Sequence, residues 1–322
     1  MARQQRLVAL FCLFLRHVRA GTPSQDEVLG DMPLKLQSPD EAGVEANLDV
    51  QYTVGLVNGI PVTFLSSGQP TLNGTINVAN HILSKRNPPS VLVIPYGFNE
   101  DQIDSALARN LCNSFQKLGA QGVSVIVPSG DGGVGGISAS QQCTTFIPTF
   151  PATCPYVTVV GGTTGNPLEH GAQFSAGGFS NIFSRPSYQN YAVGGYLQRL
   201  GSMHTGRYNS TGRAFPDVSA QASDFVIVRG GQKGLLNSTS AAAMVFASTI
   251  ALINNELVAG GKPRLGFLNP WLYSGAGNGL TDVSQGSNPG CGTNGFSAIQ
   301  GWDPITGLGT PKYNALKAKA GL

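Results

Sequence analysis

Four short runs, SVLVIPYG (90–97), GVSVIVPSG (122–130), PYVTVVGG (155–162) and DFVIVRGG (224–231), are rich in β-branched residues and stop at Gly or Pro. Runs of this length and composition predict buried strands. Helical patterns lie between or after them, at roughly 74–86, 102–119 and 240–258. Strand, helix, strand, with almost continuously apolar strands, predicts an α/β domain built on a parallel sheet. Such sheets gather ligands at the carboxyl ends of their strands. That rule singles out Asp131, directly after the run ending VPSG, and Ser240, at the start of the most apolar helix.

The chain has 322 residues, enough to bury a sizeable core, and its 41% hydrophobic content excludes a disordered chain. Charged residues make up 11%, the net charge is +3, and no basic run occurs, which speaks against nucleic acid as a partner. Residues 1–20 carry arginines, then the apolar run Leu7–Leu15 and the small residue Ala20, the pattern of a short signal peptide. An irregular lead-in is expected over 21–40. Elsewhere no run reaches the roughly 18–20 apolar residues of a membrane span. Of the cysteines Cys12, Cys112, Cys143, Cys154 and Cys291, the last four suffice for two disulfides in an oxidising compartment. Cys143 and Cys154, near in sequence, are the favoured pair. Sequons at Asn73, Asn209 and Asn237 add to an extracellular, secreted reading, and a monomer is expected.

The histidines His17, His81, His170 and His204 fall in no triad context, and there is no G-x-S-x-G elbow or H-E-x-x-H pair. Carboxylates are more informative. Glu45 and Asp49 in GVEANLDVQY are four apart and share a face if helical. Two acids so placed repel unless one is protonated or they share a proton. Read alone, Asp131 in PSGDGG, Asp217 in FPDVSA, Asp282 and Asp303 are turn residues, and Ser or Thr before the run at 240 is a helix cap. Gly177 and Gly178 suit either a loop or the lining of a peptide cleft.

Together these segments resemble the sedolisins, the serine-carboxyl peptidases. EANLDVQY is similar to the family's E-x-x-x-D segment, PSGDGG to S-G-D-x-G, and STSAAA to S-G-T-S-A-S. Further similar wording is FPATCPYVTVVGGT (150–163), GGFSNIFSRPSYQ (177–189), GRAFPDVSA (212–220), GFLNPWLY (266–273) and GWDPITGLGTP (301–311). The resemblance covers about 41–320, and SNPGCGTNGFSAIQGWDP is most similar to the fungal secreted, tripeptidyl-peptidase-like branch.

The resemblance implies a subtilisin-like parallel sheet flanked by helices, with residues 41–322 as the peptidase domain. It implies Ser240 as nucleophile, Glu45 as base, Asp49 as the residue orienting Glu45, and Asp131 as a neutral acid at the oxyanion position. Activity in acid, on peptide or protein substrates, with release of tripeptides from free N-termini, follows from the same resemblance; endopeptidase action is the other option. It also implies one structural Ca²⁺, held by Asp282 and Asp303 carboxylates and by the carbonyls of Val283, Ile299 and Gly301.

Departures from the family pattern are local. Ser238 stands in place of Gly, Ala242 in place of Ser, and Met244 in place of Pro, while Ile299 occupies a position where relatives often have Gly. A side chain where Gly allows a tight turn predicts strain at Ser238. Only 44 residues precede Glu45, so the chain is expected to lack the prosegment and the first part of the catalytic domain. The alternative function is a catalytically impaired or truncated relative that keeps the fold and only binds peptides.

Overall fold

The computed structural model describes residues 7–11, 24–29, 43–67, 70–139 and 142–322. In chain order the main sheet contains β1 (Leu7–Phe11), β2 (Ser24–Val28), β3 (Val62–Ser66), β4 (Val91–Val93), β5 (Ser124–Pro128), β6 (Thr158–Thr164) and β7 (Val218–Gln221). These lie side by side as β2–β3–β1–β4–β5–β6–β7 and are all parallel. A short antiparallel strand, His170–Gly171, pairs with β6.

Why the strands read as unbroken apolar runs is visible in how their residues divide. Val91, Val93, Ile126 and Val160 face a core shared with α1 (Val44–Leu56) and α5 (Thr239–Ala259). Leu92, Ile94, Val125, Val127 and Val159 face the opposite core, shared with α2 (Leu72–Ser84) and α3 (Ser105–Ala120). Side chains alternate across a strand, so a sheet covered on both faces needs apolar residues at both sets of positions. Helix α5 is long and apolar enough to cross a bilayer, but 67% of that window is buried inside the molecule. Ala242, Ala243 and Ala247 in it are fully buried and let it lie close against the sheet. A third core of aromatic residues, including Phe179, Phe296 and Trp302, packs beside α4 (Asn190–Leu200).

Two expectations change. DFVIVRGG forms a strand outside the main sheet: β8 (Phe225–Arg229) pairs antiparallel with β9 (Gln232–Leu236) in an isolated hairpin. Gly230 and Gly231 have φ 55° and 78°, the left-handed pair that turns a two-residue hairpin. Cys154 bonds Cys112 and Cys143 bonds Cys291, in place of a Cys143–Cys154 pair. Cys112 lies on the buried face of α3, against which Cys154 packs, so sequence distance is no guide to the pairing. Within the stretches read as a signal peptide and an irregular lead-in, Leu7–Phe11 and Ser24–Val28 are strands that flank β3. Cys12 and the rest of 12–23 lie outside the described residues.

Candidate active site

Asp131 and Ser240 meet at the carboxyl end of the sheet. Ser129, Gly130 and Asp131 follow β5, and Gly130 makes the turn with φ 110°, a conformation that favours glycine. There Asp131 abuts the first turn of α5 and accepts three hydrogen bonds. Its Oδ2 takes the Ser238 hydroxyl at 2.7 Å; its Oδ1 takes the Thr239 amide and the Thr239 hydroxyl, each at 2.8 Å. The Thr239 Oγ1 in turn accepts from the Gly130 amide at 3.1 Å.

Ser238 is the N-cap of α5, and its Oγ accepts the Ser240 amide at 3.1 Å. The strain expected there is absent. Its φ of −165° and ψ of 145° are extended backbone open to any residue. Neither Ser238 nor Thr239 was singled out in the sequence as part of the site, although a run of hydroxyls before an apolar helix is the signal that marks a cap. Asn237 is exposed, and its Oδ1 accepts the Asp224 amide at 2.8 Å, clamping the entry to the hairpin.

Glu45 lies in the first turn of α1, and α1 packs against α5. Helical spacing places Asp49 one turn further on, fully buried. Burial pushes the Glu45 carboxyl up to about 7; a hydrogen bond with Ser240 pulls the other way, and the charge of Asp131 adds to the rise. Asp49 is raised well above the usual aspartate range, by burial and by the neighbouring charge of Glu45. Oε1 of Glu45 and both oxygens of Asp49 are buried with no donor in reach. The acids' own protons are then what can satisfy them, the condition for two carboxyls to share one. Asp131 is also raised, by burial, against the pull of its three donors. The Ser240 hydroxyl faces the Pro95 carbonyl at 3.5 Å on its other side.

Such a cluster can move a proton off Ser240 onto Glu45 and present a neutral Asp131 as a donor beside it. Donation to a developing oxyanion requires Asp131 to be protonated, with that proton aimed at the substrate and not at the Ser238 or Thr239 hydroxyl. The positive end of α5 points into the same space and favours developing negative charge.

Asp282, Val283, Ile299, Gly301 and Asp303 also come together. Asp282 Oδ2 accepts the Gly301 amide at 2.8 Å, and Asp303 Oδ2 accepts the Ile299 amide at 3.3 Å, so the two carboxylates grip one tripeptide from both ends. The Thr306 hydroxyl, 3.1 Å from the Val283 carbonyl and 3.1 Å from Asp303 Oδ2, ties the remaining member to them. Asp303 is buried, which pushes its carboxyl up to about 7. A donor set of carboxylates and carbonyls fits Ca²⁺ chemistry and offers nothing to softer metals. No group of three or more His, Cys, Asp or Glu placed to hold a metal ion occurs among the described residues.

Two residues read as turn or cleft have other work. Asp217 makes a fully buried ion pair with Arg213 at 2.6 Å and also accepts from the Val159 amide and the Tyr273 hydroxyl, each at 2.9 Å. Gly177 packs against the loop of Pro304, whose carbonyl oxygen lies 1.7 Å from where a Cβ would stand.

Known proteins share this arrangement of segments. The chain is 40% identical over 309 residues to tripeptidyl-peptidase SED2 of Arthroderma otae, covering 85% of this chain and 52% of that protein. It is 39% identical over 313 residues to the probable tripeptidyl-peptidase SED3 of Trichophyton verrucosum, covering 87% and 53%. The chain is related to the sedolisins. Pseudomonas sedolisin, a serine-carboxyl proteinase, superposes with a TM-score of 0.76 over 98% of this chain and 91% of its own, at 21% identity, a likeness of fold. The fold is subtilisin-like, as the sedolisin resemblance implied. No family model matches the chain. It spans about half the length of the curated sedolisin-type relatives it matches.

Proposed function

We propose that the chain is a secreted serine-type peptidase that acts in acid and removes tripeptides from the N-termini of peptides. The observation that carries this reading is the buried cluster in which Oε1 of Glu45 and both oxygens of Asp49, on a helix packed against α5, stand without donors while Asp131 binds the N-cap of α5. Ser240 attacks the scissile carbonyl, and Glu45 takes its proton and passes it to the leaving amine. Asp49 orients Glu45 and shares its proton. Protonated Asp131 donates to the oxyanion, an interaction whose loss typically costs about 2.7–4 kcal/mol of barrier.

Acid action follows from the same charges. The negative charge of Asp131 helps hold Glu45 up, so protonating Asp131 lets Glu45 ionise more readily. The productive state, Asp131 neutral and Glu45 charged, fades towards alkali as Asp131 ionises and towards stronger acid as Glu45 takes up its proton. Tripeptide release rests on the names of the fungal relatives. Secretion is supported by two disulfides, which persist in oxidising compartments. Asp282 and Asp303, with the carbonyls of Val283, Ile299 and Gly301, would hold one Ca²⁺, whose charge would keep Asp303 ionised and brace the loops around it.

The test is hydrolysis of a tripeptide arylamide by the purified chain from about pH 3 to 7, with Ser240→Ala alongside. Activity confined to the acid side and lost in the variant is expected. Equal signals from both proteins, or none from either, would favour a relative that binds peptides without cleaving them.

A further inference from the structure

A cavity of about 590 Å³ lies between the start of α1 and the β8–β9 hairpin. Its lining includes Val44, which precedes Glu45, and Leu236, which lies four residues before Ser240. Val44, Ile227 and Leu236 also belong to the small apolar cluster that packs on Ala241, so the cavity abuts the catalytic pair. Ile227 and Gly234 face each other across the hairpin, and a Cβ on Gly234 would meet nothing within 4 Å. Glycine at that position is what leaves the space open.

The chemistry fixes which part of a peptide reaches it. Glu45 hands its proton to the leaving amine, so that amine must lie within hydrogen-bond reach of Glu45. The leaving segment therefore starts beside Val44, at the mouth of the cavity. Arg229 and Lys233 line it, and none of its lining residues is acidic. Arg229 is four residues along β8 from Phe225, the partner of Leu236. At about 3.3 Å per residue, that is about 13 Å, the span of three to four residues of extended peptide.

We propose that this cavity is a subsite for the leaving segment of the substrate, in which Arg229 selects a carboxylate at the third or fourth residue after the scissile bond. The inference rests on the peptidase reading of the same site. An acidic side chain there pairs with Arg229, while the apolar walls hold the residues before it.

Binding separates this subsite from catalysis. Fluorescent leaving-segment peptides, with Glu, Gln or Lys at each of the first four positions and an amidated or free C-terminus, are titrated against the Ser240→Ala chain at about pH 5, where a Glu side chain is mostly ionised. Glu at the third or fourth position is expected to bind about two- to fivefold tighter than Gln, the range of a partly exposed ion pair. Arg229→Gln should bring that ratio to about one, and Gly234→Leu should weaken all the peptides by filling the space. Amidated peptides that keep the preference assign it to the side chain, whereas a preference confined to free C-termini assigns it to a terminal carboxylate at the same place. Equal affinities at every position, or a preference that survives Arg229→Gln, would overturn the subsite. Loss of arylamide hydrolysis would overturn the peptidase reading alone.

Discussion

The Ser238 hydroxyl lies 2.7 Å from Asp131 Oδ2 and donates to it. The same oxygen accepts the amide of Ser240, so one side chain engages both the acid beside the nucleophile and the nucleophile's own N–H. That donation favours ionised Asp131, and that acceptance occupies an amide well placed to meet an oxyanion.

Replacing Ser238 by Gly should release both groups. Asp131 loses a hydrogen bond that lowers its pKa, so the alkaline limb of the pH–rate profile should move towards neutrality and kcat should rise. Loss of the cap should cost only a few tenths of a kcal/mol with Gly and about 1 kcal/mol with Ala. Rate profiles and urea melts of the two variants check this.

Asp131→Asn keeps a donor beside Ser240 and removes the titration. Activity should persist at reduced kcat, and the fall towards neutral pH should flatten. Asp131→Ala removes the donor, and kcat should drop about 10²–10³-fold.

Stability should also depend on pH, through acids that fold into raised pKa values. Glu45 goes up to about 7 from its ordinary value of 4.5, and Asp49 rises as well, both mainly by burial. In the window between the unfolded and folded values the native state holds more protons than the unfolded one. Stability is therefore complete below about 4.5 and falls as pH rises through about 7, by on the order of 3 kcal/mol for Glu45. Urea midpoints measured across that range should decline, and Glu45→Gln should make the decline shallower.

Asp217→Ala should be among the most damaging changes outside the site. It leaves the guanidinium of Arg213 buried without its carboxylate, at a cost of about 3–5 kcal/mol. Thermal unfolding measures it.

A calcium chelator should lower the Tm of the purified chain, and calorimetric titration should then detect one Ca²⁺ per chain. Asp303→Asn should abolish both effects.

The parallel sheet was legible because strands covered on both faces leave an unbroken apolar trace, as in Val91 to Ile94. The hairpin was misread because FVIV has the same trace, and only the paired left-handed glycines at 230 and 231 turn it away from the sheet. Ser240 was legible as a helix start, and Asp131 as the residue after a strand. What brings them together was not, since the hydrogen bond from Ser238, at the cap of that helix, to Asp131 joins residues 107 apart and has no local signal.

By itself the sequence determined the elements, the order of the acids along the chain and the place of Ser240 at a helix end, because propensity, capping and apolar periodicity act over a few residues. Tertiary structure alone decided which cysteines join, that Asp217 is the buried partner of Arg213, and that Ser238 fits without strain. Those outcomes depend on distances between segments far apart in the chain, and on burial, which raises the carboxyls of Glu45, Asp49 and Asp131 together. Chemistry at this site comes from removing those acids from water, and only the packed fold does that.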